Sequence, residues 1–165
     1  RQQAIYRSSD RVPEIRLPEP ELLHDLVEVL RQALAADRHE AVQAAAQAVA
    51  LGITRLLRVP PVRVLVLAVR PASGWGELHG LYTAEERRTP VIRVWMRTAQ
   101  KGRVVAFRTF LRTLLHELVH HLDYHHLKLG DSLHTEGFFR RESSLFRQIV
   151  RGEAERSAAT GPGPS

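Results

Sequence analysis

The sequence predicts an α+β domain, on three observations. Apolar residues recur at helical spacing from residue 21 to residue 57, a β-branched run follows at 62–69, and helical spacing returns from residue 103 onward. Two helices, a small three-stranded sheet and two further helices keep the α and β parts segregated instead of alternating as βαβ units. A chain of 165 residues suits one domain. A domain of that size buries enough surface to fold without covalent staples.

Each element has its own signal. Residues 1–20 are polar and carry Pro13, Pro18 and Pro20, which predicts an extended N-terminal arm. The domain proper is expected over residues 21–152. From Glu21, the residues Leu22, Leu23, Leu26, Val27, Leu30 and Leu34 fall on one helical face. Asp37 with Glu40 three residues on has the pattern of a capping box. It would open an Ala-rich helix from Arg38 to Leu57, which Pro60 and Pro61 end. Val62 to Val69 reads as a buried strand. Pro71 to Gly76 is a loop, and Glu77 to Thr83 and Val91 to Met96 are two more strands, joined by the charged turn Ala84 to Pro90. From Arg103 to Leu129 there is neither Gly nor Pro. Val104, Val105, Phe107, Phe110, Leu111, Leu114, Leu115, Leu118 and Leu122 give that stretch a wide apolar helical face. Gly130-Asp131-Ser132 is a turn, and a last helix is expected from Glu136 to Val150. Residues 153–165 end in Gly-Pro-Gly-Pro-Ser and are expected to be a disordered tail.

Composition narrows the function. With no Cys, a disulfide framework, a thiolate metal site and a Cys nucleophile are excluded. No apolar run approaches the ~18–20 residues of a membrane span, and no secretory signal pattern is visible. The expected location is the cytoplasm, with no membrane partner. The formal net charge is +6, from 24 Lys+Arg against 18 Asp+Glu. The cations are scattered and never form a run of five, so an ordinary solvated basic surface accounts for them. A nucleic-acid or acidic-protein partner remains the second account.

The chemistry is concentrated in one segment. Six of the nine His lie between His116 and His134, and the stretch His116-Glu117-Leu118-Val119-His120 is an H-E-x-x-H pattern inside the long predicted helix. Residues i and i+4 share a helix face, so His116 and His120 can converge on one ion. Glu117 points about 100° round the helix. That direction lets its carboxylate take a proton from a water beside the ion and return it to a leaving amine. A catalytic zinc site keeps three protein ligands and leaves a fourth position open. His126 stands ten residues after His116, but on a continuous helix it lies about 280° round and faces away. His121 and His125, at about 140° and 180°, are expected to be exposed. His134, beyond the Gly130 turn, can fold back, and Glu136 or Glu142 on the last helix is an acidic alternative.

His116-Glu117-x-x-His120, followed by His134-Thr135-Glu136-Gly137-Phe138-Phe139, resembles the SprT-like group of zincin metallopeptidases over about residues 60–150. In that group a third His within H-G-x-x-F opens the helix after the H-E-x-x-H helix. Thr135 stands here where the group has Gly, and the Gly comes at 137. The Cys-based zinc ribbon of some members has no counterpart. The resemblance implies a zincin-like minimal metallopeptidase fold. It implies Zn²⁺ held by His116, His120 and His134, Glu117 as general base, and a protein or peptide substrate, which in some members is attached to DNA. It also implies that the antiparallel edge strand before the metal helix, here Glu77 to Thr83, takes up substrate as an added strand. Gly80 within it would allow close backbone approach. A non-catalytic module using the same scaffold and a basic surface is the alternative function.

Several neighbours have a site role and an ordinary one to weigh. Asp123 lies about 20° from His116 on the helix and can accept from a ligand's second ring N–H, or be a surface charge. Tyr82, Tyr124 and His79 can donate to an oxyanion or simply pack. Arg140 and Arg141 are expected on a solvated helix face, and Trp75 and Trp95 in the core or anchoring a loop.

Overall fold

A computed structural model of the protein describes residues 1–69, 80–99 and 101–153. Among the described residues there are five α-helices and a three-stranded mixed sheet. The helices are α1 (Gln2–Asp10), α2 (His24–Ala35), α3 (His39–Leu56), α4 (Phe107–His125) and α5 (Glu136–Ile149). A 3-10 turn at Pro20–Leu23 leads into α2. The strands are β1 (Arg63–Val69), β2 (Gly80–Thr83) and β3 (Val91–Arg97), in the order β1-β3-β2. The central β3 pairs in parallel with β1 and antiparallel with β2. Residues 77–79 of the expected edge strand, Trp75, His79 and the tail from 154 onward lie outside the described residues.

One hydrophobic core joins the layers. Val64 and Val66 of β1 are register partners of Ile92 and Val94 of β3, so the four share one sheet face, and all are buried. Gly80 and Tyr82 of β2 pair with Val94 and Ile92 and lie on that same face. Helix α4 packs under it with Phe110, Leu111, Leu114, Leu115, Leu118 and Leu122 fully buried. Phe138, Leu145, Phe146 and Ile149 of α5 close the core from the other side of α4. Trp95 is buried too. No described helix is long and apolar enough to cross a membrane.

Side chains seal the free edge of β1. On α3, Gln43 donates to the Val64 carbonyl and accepts from the Val66 amide, while Gln47 donates to the Val62 carbonyl and accepts from the Val64 amide. His39 reaches the Val66 carbonyl. These three residues are four apart, so one helix stripe covers the β1 edge and satisfies backbone groups that would otherwise invite another strand. The other edge strand, β2, faces α4.

The structure corrects the reading of the first twenty residues. They are not an extended arm throughout: Gln2–Asp10 is helical, and only the stretch after it runs extended. Ile15 and Leu17 of that stretch are buried, tied to α5 through the Gln148 side chain, which donates to the Ile15 carbonyl and accepts from the Leu17 amide. Apolar residues are sparse in α1, and its stability comes from the tertiary contacts described below, which no local pattern reveals. The expected capping box is also absent. Asp37 adopts a left-handed backbone (φ 55°) and pairs with Arg97, and α3 begins at His39 with no side-chain cap. Likewise α4 starts at Phe107 rather than Arg103, because Val104 bridges Arg97 and the Val105 amide donates to the Met96 carbonyl. These β-branched residues continue the sheet instead of opening the helix.

Candidate metal centre

Helix α4 presents His116 and His120 one turn apart, and the chain returns through 126–134 to present His134 immediately before α5. Nε2 of His134 lies 3.1 Å from Nε2 of His116 and 3.1 Å from Nε2 of His120. One ligand atom from each ring lies within 4.8 Å of the other two, so the three can hold a metal ion. Phe138, fully buried, lies against all three rings, with centroids 4.7–5.0 Å away. The aromatic of the sequence motif is therefore the floor of the site. Thr135, in the Gly position of the motif, caps α5 by accepting from the Phe138 amide at 3.1 Å.

The outer ring nitrogens settle the tautomers. Nδ1 of His116 lies 2.8 Å from Glu142 Oε1, and an ionised carboxylate only accepts, so this nitrogen carries the hydrogen. Nδ1 of His120 lies 2.7 Å from Ser132 Oγ, and that hydroxyl donates its one hydrogen to Asp123 Oδ2 at 2.7 Å. Ser132 must therefore accept from His120. With the hydrogen on Nδ1, both rings turn Nε2 lone pairs toward His134 Nε2. Converging lone pairs at this spacing suit a cation: tetrahedral zinc at 2.0–2.1 Å separates its nitrogens by about 3.3 Å. The donor set of three imidazoles, two of them oriented by carboxylate-linked partners, fits a metal ion.

Glu117 stands beside the cluster and outside it. The residue is 7% exposed, and its carboxylate accepts a hydrogen bond from the Tyr82 amide on β2. Burial pushes its carboxyl above the usual range, against the pull of His116 and of the Tyr82 amide. Gly80 makes this approach possible, since a Cβ there would meet Thr113 Cγ2 at 2.8 Å and Glu117 Cγ at 3.0 Å. Burial, helped by the positive charge that His116 and His134 can carry, holds the His120 ring down at about 4. Burial also lowers His134. The His120 ring is therefore neutral, and available as a ligand, across the physiological range.

The surrounding residues divide. His126 caps α4, is exposed and stays out of the cluster. Glu142, the acidic alternative for third ligand, instead holds the far side of His116, while Glu136 pairs with Arg140 at the surface. Asp123 is linked to the His120 ring, but through Ser132 rather than directly. His121, expected to be exposed, is fully buried: its Nε2 donates to the Pro60 carbonyl and its Nδ1 accepts from the Tyr82 hydroxyl. Its direction on the helix is as expected, but α4 is covered on that side by the entry to β1. Tyr82, pushed up to about 12 mainly by burial, is thus bonded to His121 rather than aimed at the cluster. The Tyr124 hydroxyl donates to Asp131. Arg141 is fully buried, contrary to its expected place on a solvated face. It lies on the stripe formed by Phe138, Leu145 and Ile149, and that spacing was the available signal. Glu142, four residues after Phe138, likewise shares the face that looks back at α4.

No protein-family model, no curated protein and no solved structure matches this chain.

Proposed function

We propose that the protein is a zinc-dependent metallopeptidase of the zincin type, similar to the SprT-like group, in which His116, His120 and His134 hold the metal and Glu117 is the general base. The observation that carries the reading is the convergence of the His116 and His120 Nε2 atoms on His134 Nε2, 3.1 Å from each, with Glu117 beside them. When bound, such an ion polarises a peptide carbonyl and lowers the pKa of a water. The chain's own residues do the rest. Glu142 and the Ser132–Asp123 pair fix two rings in the tautomer that can ligate. Glu117, made more basic by burial, takes the proton of the attacking water and delivers it to the leaving amine. The β2 edge, joined to the base through the Tyr82 amide, is the strand beside which an extended substrate would lie.

Glu117→Gln tests this directly, because it keeps the shape of the side chain and removes its ability to accept a proton. Zinc should be retained while cleavage of a protein substrate falls by about 10²-fold or more. Casein and DNA-bound protein should be tried side by side. Unchanged cleavage in Glu117→Gln contradicts the mechanism. Salt-steep DNA binding by a wild type that cleaves nothing favours the non-catalytic module.

A further inference from the structure

We propose that Arg141 and Ser132 are positioning residues of the metal centre, and that the N-terminal segment around Ser9 and Val12 is a working part of it. The inference rests on the three-His reading above. Arg141 is fully buried on α5, and all five of its N–H groups find acceptors. Nε and Nη2 donate to Asp123 Oδ1 and Oδ2, both at 3.1 Å. Nη2 also donates to Ser9 Oγ at 2.9 Å, and Nη1 donates to the carbonyls of Ser9 at 2.6 Å and Val12 at 2.8 Å. From there the chain of bonds runs from Asp123 to Ser132 and on to His120 Nδ1.

The direction of that chain matters more than its strength. The guanidinium fixes Asp123 as an acceptor, so the Ser132 proton points at Asp123 and the Ser132 lone pair at His120. The His120 hydrogen then sits on Nδ1 and the Nε2 lone pair is free for the ion. Without Arg141 the buried carboxylate has no counter-charge, and its place as acceptor of the Ser132 proton is no longer fixed. Stability alone is a weak reason for such a pair, because apolar residues of similar volume often serve a core equally well.

A second set of contacts ties the same segment to the His134 side. The Gly137 amide donates to Asp10 Oδ1 at 2.9 Å, and Ser9 Oγ lies 2.7 Å from Thr135 Oγ1. A Cβ at position 137 would collide with the Ser9 carbonyl oxygen. The displaced glycine of the motif is thus where the N-terminal segment crosses the first turn of α5. Residues 9–12 therefore brace both ligands that lie toward the 126–134 connection.

The test is zinc affinity, by competition with a chelating indicator, together with the visible spectrum of the Co²⁺-loaded protein. Ser132→Ala, Asp123→Asn and Arg141→Met are compared with Gln148→Ala, which cuts a different anchor of the same segment, at Ile15 and Leu17. Ser132→Ala and Arg141→Met should weaken zinc by about tenfold or more and alter the Co²⁺ spectrum. Gln148→Ala should lower thermal stability yet hold zinc within about twofold of the wild type. Should Arg141→Met fail to fold, Ser132→Ala and Asp123→Asn decide. Zinc affinity unchanged in Ser132→Ala, or lost equally in Gln148→Ala, overturns the inference while leaving the three-His site standing. A wild type that binds no zinc overturns that site and this inference together.

Discussion

Removing the carboxylate behind His116 separates a proposed metal ligand from its support. Glu142 is 12% exposed in its side chain, accepts from His116 Nδ1 at 2.8 Å and lies 3.7 Å from Arg112. Glu142→Ala deletes the acceptor that fixes the ring's tautomer and raises its basicity. Loss of such an outer partner costs 10–100-fold in metal affinity, or about 1.4–2.8 kcal/mol. Deleting a charge-assisted bond in a half-buried place also lowers folding stability by about 1–3 kcal/mol, so affinity and stability are measured separately. Glu142→Gln keeps an acceptor oxygen and should fall between wild type and Glu142→Ala. The assay is zinc competition against an indicator, with urea unfolding of the metal-free protein run in parallel. One zinc per chain should remain at saturating metal in both variants, because Glu142 orients a ligand and is not one. Unchanged affinity in Glu142→Ala would refute the reasoning, and a lost binding stoichiometry would make Glu142 a ligand.

Three further outcomes follow from the geometry. His134→Ala should weaken zinc by at least tenfold while His126→Ala leaves it unchanged, and the reverse ranking in a competition assay would place the third ligand elsewhere. Gly137→Ala should cost about 1–3 kcal/mol in urea unfolding, since the new methyl would meet backbone atoms of Ser9 and Asp10, and an unmoved midpoint would contradict that crossing. In the metal-free protein, His120 is held near 4 by burial, and His121 and His134 are lowered as well. Unfolded imidazoles take their proton near 6.5. The unfolded chain thus binds more protons over that interval, and stability present above pH 6.5 is lost as pH falls toward 4. Unfolding midpoints equal at pH 7.5 and pH 5 would show these rings to be less buried than described.

What the sequence made legible was whatever repeats locally. Val64 and Val66, the leucines of α4, and the H-E-x-x-H turn announce themselves through periodicity and spacing, and His134 through its place after a Gly turn. Contacts across long separations left fainter traces. α1 is sparsely apolar and is held by Arg141, 132 residues from Ser9. Arg141 was readable only as a cation on an apolar stripe, and Ser132 as nothing more than a turn residue. His121 shows the limit of helical-wheel reasoning: the angle was correct, but whether that side meets water depends on the Pro60 carbonyl and Tyr82, which arrive from other elements. Asp37 failed as a cap because Arg97 on β3 recruits its carboxylate.

Elemental analysis of the purified protein is the most direct test of the central claim that His116, His120 and His134 form a metal centre. The protein, exchanged into metal-free buffer after loading with zinc, should carry about one Zn²⁺ per chain, and His116→Ala, His120→Ala and His134→Ala should each retain far less under the same exchange. A wild type with no bound zinc, or full occupancy in the three variants, would contradict it.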